Sequence, residues 1–315
     1  MPVYVPPPRP PRRWLHWLLF LLTLGSTTFV GADMFALYSI DFSTLMAMSP
    51  ADQQQWAGAL FSSPSFYLHG LWYSLTILAI LGCHEMGHYF ACVHYRVDVT
   101  PPFFLPLPIT LTGTLGAFIR IRSRIPGKVA LFDIGIAGPI AGFVVAVPAL
   151  FIGLWMSKVV PLPADPSGLI ELGEPLLFQF AAWTIWGVVP AGYTISMHPV
   201  AFAAWFGLLA TALNLFPISQ LDGGHISYAV LGRRSTLVTL AMMAVVIGLA
   251  FVSWSWVLWA ILLVIMVGVL GPHHPPTLYE DEPLDRTRLV LAVVALVMLV
   301  VCFTPAPIGP FIGAP

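Results

Sequence analysis

Seven stretches of this chain are apolar over roughly the length needed to cross a lipid bilayer, and no other feature constrains its fold as strongly. A hydrocarbon core of about 30 Å takes roughly 20 helical residues. Runs of that order lie at residues 14–30, 71–94, 132–156, 200–216, 237–252, 254–270 and 289–303. Only 9% of the residues are charged and 58% are hydrophobic, whereas soluble domains carry about 25% charged residues. Backbone in lipid must satisfy its own hydrogen bonds, so the expected fold is an all-α polytopic membrane protein of about six to seven transmembrane helices. The stretch 176–189 is shorter, rich in aromatics and bounded by Pro175 and Pro190. It is expected to lie at the interface or re-enter the membrane without spanning it.

Charge sets the orientation and excludes a class of partner. The 13 Lys and Arg nearly balance the 14 Asp and Glu, and no basic face is visible, so nucleic acid is not an expected partner. Basic residues accumulate in cytoplasmic loops. Of the 13, Lys158 alone falls in the segments 31–70 and 157–199. The others flank alternate ends of the spans, among them Arg120, Arg122, Arg124, Arg233, Arg234, Arg286 and Arg288. This implies an N-terminus inside and a C-terminus outside, preceded by a cytoplasmic Pro/Arg-rich tail over 1–13. Cys83, Cys92 and Cys302 are read as small core or lipid-facing residues. No A-x-A-like cleavage site follows the first apolar run, so no removed signal peptide is expected. The inside loop 98–127 opens Pro-rich and then alternates like a strand from Gly113 to Arg122, which predicts a small β-hairpin at the membrane edge.

Ionisable groups inside an apolar helix cost about 2.5–3.5 kcal/mol even on insertion scales and default to a functional reading. The second span contains HEMGH at 84–88. His84 and His88 are four residues apart, on one helix face about 6 Å apart along the axis. Two imidazoles so placed converge on one Zn²⁺, and Glu85 beside them is positioned to take a proton from water. A catalytic zinc takes three protein ligands. The third is assigned to Asp222, the sole acidic residue between Glu174 and Glu280, because Pro217 ends the fourth span and Gly223 and Gly224 allow the chain to turn back toward the metal. An even number of crossings between the motifs puts both at the same membrane face. That holds only if 176–189 does not span.

Three stretches carry a resemblance: HEMGH at 84–88, AGPIAG at 137–142, and NLFP at 214–217 continuing to LDGG at 221–224. In order and spacing they resemble the site-2 protease family of intramembrane zinc metalloproteases, in a compact form without room for PDZ or CBS domains. The resemblance implies one zinc held by His84, His88 and Asp222, with Glu85 as catalytic base. It also implies that Asn214 positions substrate or stabilises the transition state, although an Asn here also suits a helix-to-helix hydrogen bond. The strand of Gly113, Thr114, Leu115, Gly116, Ala117 and Phe118 is implied to hold unwound substrate. Single-span membrane proteins within the bilayer are the implied substrates.

Gly135, Gly138 and Gly142 are read as packing residues, the GPHHPP segment at 271–276 as a structural turn, and His225 as unassigned. The expected domains are 14–66, a first span and outside loop; 67–232, the metalloprotease core; and 233–315, C-terminal helices. The expected setting is an integral membrane protein of a prokaryotic plasma membrane, with its site toward the cytoplasm. A metal transporter or an inactive scaffold would not need Glu85, which separates an enzyme from both.

Overall fold

The computed structural model describes residues 13–40, 42–108, 111–163, 169–280 and 282–310. Nearly all of the expected tail thus lies outside the described residues. The helices in chain order are α1 (Arg13–Ser39), α2 (Phe42–Ala47), α3 (Pro50–Phe61), α4 (Pro64–His94), α5 (Lys128–Met156), α6 (Leu176–Trp186), α7 (Pro199–Asn214), α8 (Asp222–Leu231), α9 (Ser235–Leu249), α10 (Ser255–Leu270) and α11 (Arg286–Cys302). Pro50, Pro64 and Pro199 each open a helix, where a missing N–H costs nothing and the ring presets φ.

The all-α membrane reading stands in outline. Four helical stretches are long and apolar enough to cross a bilayer: Arg13–Ser39, Pro64–His94, Lys128–Met156 and Asp222–Leu249. The last joins α8 to α9 through a 3-10 turn at Gly232–Arg234, with Gly232 at φ +59°. α7 and α10 have 16 residues each and α11 has 17, or roughly 24–26 Å at 1.5 Å per residue. These lengths do not establish six to seven spans. α6 has 11 residues and is too short to cross, as expected for 176–189.

α4, α5 and α7 form the centre. Ile80, Ala146, Leu150, Leu154, Trp205 and Leu208 are buried together between them. Without a hydrophobic driving force in lipid, helices associate by close packing and hydrogen bonds, and the contacts here are of that kind. A Cβ added at Gly70 of α4 would lie 2.0 Å from the Thr28 carbonyl oxygen of α1, and Thr27 and Ser74 hydroxyls bond at 2.6 Å across the same seam. A Cβ added at Gly87 of α4 would likewise lie 2.4 Å from the Ala137 carbonyl oxygen of α5.

The expected hairpin is present. β1 (Phe103–Pro106) and β2 (Thr114–Phe118) pair antiparallel, with Phe103 opposite Phe118, Phe104 opposite Ala117, and an irregularity before Pro106. The Ser26 hydroxyl of α1 donates to the Gly113 carbonyl at 2.7 Å, and Tyr73 of α4 donates to Thr112 at 2.9 Å. Two further antiparallel pairs join β3 (Lys158–Pro161) to β5 (Tyr193–Ser196) and β4 (Ile170–Leu172) to β6 (Ile308–Pro310).

Between α7 and α8 the chain is non-helical over residues 215–221. Irregular backbone at membrane depth needs internal partners, and it has them. Ile218 N–H donates to Phe216 at 2.7 Å, Leu221 to Ile218 at 3.0 Å, and Ser219 N–H to the Thr239 hydroxyl at 3.1 Å. The segment 271–285 then crosses back over this region. Ser219 holds the Gly271 carbonyl at 2.9 Å, Tyr228 donates to Glu280, and Tyr279 N–H donates to Pro126 at 2.8 Å. We refer to this segment as the strap.

Candidate metal centre

His84, Glu85 and His88 lie on the inner face of α4, each less than 10% exposed. The His88 Nδ1 proton goes to the Ile134 carbonyl at 2.7 Å, so Nε2 carries the lone pair and the ring is held in one orientation, as a metal-ligating histidine requires. Asp222 enters at the first residue of α8. His84 Nε2 and His88 Nε2 are 3.1 Å apart, and the Asp222 Oδ2 lies 3.2 Å from the first and 3.3 Å from the second.

These three distances test the fit to a metal. Ligand atoms about 2.0–2.1 Å from a tetrahedral zinc stand roughly 3.3 Å from one another. The observed triangle has those edges, and two imidazole nitrogens with one carboxylate oxygen are a donor set zinc accepts. Among the described residues this is the one group of three or more His, Cys, Asp or Glu side chains close enough together to hold an ion.

Helix α5 shapes the centre by what it omits. A Cβ at Gly138 would sit 2.1 Å from His88 Nε2, and one at Gly142 would sit 3.1 Å from His84 Cβ. Gly135 would similarly meet His225 Cβ at 2.9 Å. Packing was the expected role of these glycines, and what they pack against is the site itself.

Asn214, the last residue of α7, places its Nδ2 3.3 Å from His84 Nε2. Glu85 Oε1 is 4.0 Å from the same nitrogen, beside the ligand triangle and outside it. A cavity of about 270 Å³ joins these groups; its walls include Glu85, Ala117, Phe118, Ile119, Asn214 and Asp222. Of the six strand residues expected to meet substrate, Ala117 and Phe118 reach this cavity. Gly113 and Thr114 are buried and Leu115 is exposed elsewhere, while Gly116 turns the strand at φ +101°. Ile119 and Ile121, just beyond the expected stretch, complete that wall.

Sequence reasoning left His225 unassigned and treated the HH pair at 273–274 as a turn. The structure joins them: His225 Nδ1 and His274 Nε2 are 2.7 Å apart. His274 Nδ1 donates to the Pro275 carbonyl at 2.7 Å, so its Nε2 accepts and His225 Nδ1 donates. The lone pair of His225 is then on Nε2, and His225 lines the cavity. Its spacing three residues after Asp222, on one face of α8, was the available signal. Burial lowers the pKa of His274 below its ordinary value, keeping it neutral for this role.

A membrane-embedded helical bundle with a buried His-His-carboxylate centre and an adjoining glutamate defines a polytopic membrane protein of metallohydrolase type. Residues 72–255 match Peptidase family M50, more than half of the chain, and the chain belongs to that family. It is 30% identical over 95% of its length to "Probable zinc metalloprotease EGY1, chloroplastic" of Arabidopsis thaliana, covering 54% of that protein. It is 29% identical over 76% of its length to "Probable zinc metalloprotease EGY2, chloroplastic" of Oryza sativa subsp. indica, covering 44% of it. The chain thus spans about half the length of these relatives. Both are chloroplastic, which gives the expected prokaryotic plasma membrane no support.

Proposed function

We propose that this protein is an intramembrane zinc metalloprotease that hydrolyses peptide bonds within or near transmembrane segments of single-span membrane proteins. The observation that carries this reading is the ligand triangle of His84, His88 and Asp222, with edges of 3.1–3.3 Å, beside a glutamate that ligation does not use. Membership of the family and the names of its relatives support it.

His84, His88 and Asp222 would hold one zinc. When bound, zinc supplies Lewis acidity, acidifying water toward neutral pKa and polarising a carbonyl. Glu85 takes the proton of the attacking water and returns it to the leaving amine, a role that needs a carboxylate near the metal but not on it. The Asn214 amide N–H is aimed into the same space and donates to the oxygen on which charge develops. A helical substrate hides its carbonyls, so the scissile segment must unwind. Strand β2 and its continuation through Ile121 offer it a backbone edge in exchange for its lost hydrogen bonds.

The architecture we infer has six to seven spans. α7, α10 and α11 cross as short helices within a protein-lined interior, α6 lies at the interface, and the catalytic centre opens toward the side where Lys and Arg accumulate. Residues 67–232 form the metalloprotease core between a first span with its outside loop (14–66) and the C-terminal helices (233–315).

The decisive experiment compares wild type with Glu85→Gln on a tagged single-span substrate, with zinc content measured in both. The expected result is cleavage by the wild type alone at equal zinc loading. Equal cleavage by both would reject Glu85 as the base.

A further inference from the structure

Past β2 the chain runs beside residues 97–100, bridging Ile121 to Val99, and bends at Ser123, which is exposed. Ile119, Ile121 and Ile125 turn inward to pack around Cys92, Val97 and Ile134, while Arg120, Arg122 and Arg124 are exposed on the opposite face. Arg122 N–H donates to Asp98 at 2.8 Å, and Arg120 accepts from Thr100 N–H at 3.1 Å. The backbone groups of the even residues therefore face the neighbouring segment. Those of the odd residues face the other way: Ile119 lines the cavity with Glu85, and Ile125 accepts from Leu278 of the strap at 3.3 Å. Between these two, the backbone groups of Ile121 and Ser123 bond no described backbone group.

None of the three arginines forms an ion pair with a described residue, whereas Lys128 pairs with Glu280 and Arg288 with Asp133 and Asp285. Asp98, whose carbonyl accepts from Arg122 N–H, and Arg96 are exposed close to them in the chain. Accumulation of basic residues on one side of a membrane accounts for their presence. It does not account for three of them together on the exposed face of a segment whose Ile119 and Ile121 line the cavity.

We propose that Arg120, Arg122 and Arg124 read acidic side chains on the substrate segment flanking the scissile bond. This rests on the protease reading above. A chain adding to this edge presents alternate residues on the arginine face, opposite Arg120, Arg122 and Arg124 in turn. At about 3.3–3.4 Å per residue the first two stations lie roughly 3 and 10 Å beyond Ile119, which borders the cavity with Glu85, and Arg124 follows the bend at Ser123. The preferred substrate therefore carries Asp or Glu at alternating positions over the first five or so residues on that side of the cut. An anionic lipid surface is the competing occupant of the same charge.

The test uses three single-span substrates identical except at those alternating positions, which carry Asp, Ser or Lys. Each is cleaved by the full-length, zinc-loaded wild type and by a triple variant, Arg120→Glu, Arg122→Glu and Arg124→Glu, in pure phosphatidylcholine vesicles and in vesicles also containing phosphatidylglycerol. A triple Arg→Gln variant covers the case in which the reversed one does not fold. Cross-strand charge pairs predict that wild-type kcat/KM ranks Asp over Ser over Lys, with about 3- to 100-fold between the extremes. The ranking should flatten with Gln and invert with Glu, in either vesicle. Glu85-dependent cleavage with no charge ranking would overturn the proposal and leave the protease reading standing. A change that appears only in anionic vesicles, and equally for all three substrates, would overturn it in favour of lipid headgroups. Absence of Glu85-dependent cleavage of every substrate would remove the protease reading and the proposal with it.

Discussion

Replacing Gly138 by Ala adds one methyl group where the structure has no room for it. The new Cβ would stand 2.1 Å from His88 Nε2, 2.4 Å from Cδ2 and 2.5 Å from Cε1. Ordinary contact begins at 3.4 Å, so the ring or helix α5 must shift by roughly 1.3 Å, several times the ±0.2 Å tolerance of a metal–ligand distance. The ring cannot swing freely, because its Nδ1 is tied to Ile134 on the same helix. Overpacking of this kind costs about 1–3 kcal/mol, and disturbing a ligand's supporting contacts typically lowers metal affinity about 10- to 100-fold. The expected outcome is loss of at least tenfold in zinc affinity, read as zinc per protein after equilibration with graded chelator, together with a lower midpoint of thermal unfolding. Gly142→Ala, whose Cβ would stand 3.1 Å from His84 Cβ, should show a smaller loss. Gly248→Ala in α9, with nothing within 4 Å, should show none. Unchanged zinc affinity in Gly138→Ala would refute the claim that α5 positions the ligands by steric fit.

Asp222→Ala should abolish stoichiometric zinc binding in the purified protein, while Asn214→Ala should leave zinc in place and lower kcat; zinc content and single-turnover cleavage separate the two. Strap docking should weaken as pH falls, because His274 and Glu280 both have depressed pKa values in the folded protein. His274 is lowered by burial, so its contribution fades as pH drops below its ordinary 6.5. For Glu280 burial acts upward but is outweighed by hydrogen bonds from Thr277 and Tyr228 and by Lys128, so its contribution is present above its ordinary 4.5 and lost as pH falls through the lowered value. Hydrogen exchange over 271–285 should rise in that order, and exchange independent of pH-corrected rate would contradict it. Arg288→Ala removes a two-bond grip on Asp133, at 2.8 and 2.6 Å, that ties α11 to α5. It should cost about 1–3 kcal/mol in a denaturation series without altering zinc stoichiometry.

The candidate ligand group was legible in the chain because its signals are local. His84 and His88 share a helix face by spacing alone, and Asp222 stands out as a lone carboxylate in a long apolar region. The hairpin was legible from alternation, although the wall of the candidate site is completed by Ile119 and Ile121, past the stretch that the sequence marks, with Gly116 turning the strand before them. The pairing of His225 with His274 was not legible, because nothing local in a Pro-rich turn says which helix it will cross. The span count was not legible either. Apolar length counts crossings only when each helix faces lipid, and α7, nearly all of it enclosed by neighbours, can be shorter than the bilayer is thick. The small sheets β3–β5 and β4–β6 join segments whose partners lie far away in sequence.

The ligands come from α4 and from the start of α8, with α5, α6 and α7 between them in the chain. During synthesis the two histidines are made before α5 and before the aspartate, and in the folded protein α5 lies against them. Metal loading therefore reports that the intervening helices have been inserted and packed in order. A chain that stalls or misroutes before α8 holds two histidines and a glutamate but lacks Asp222, the third member of the candidate centre.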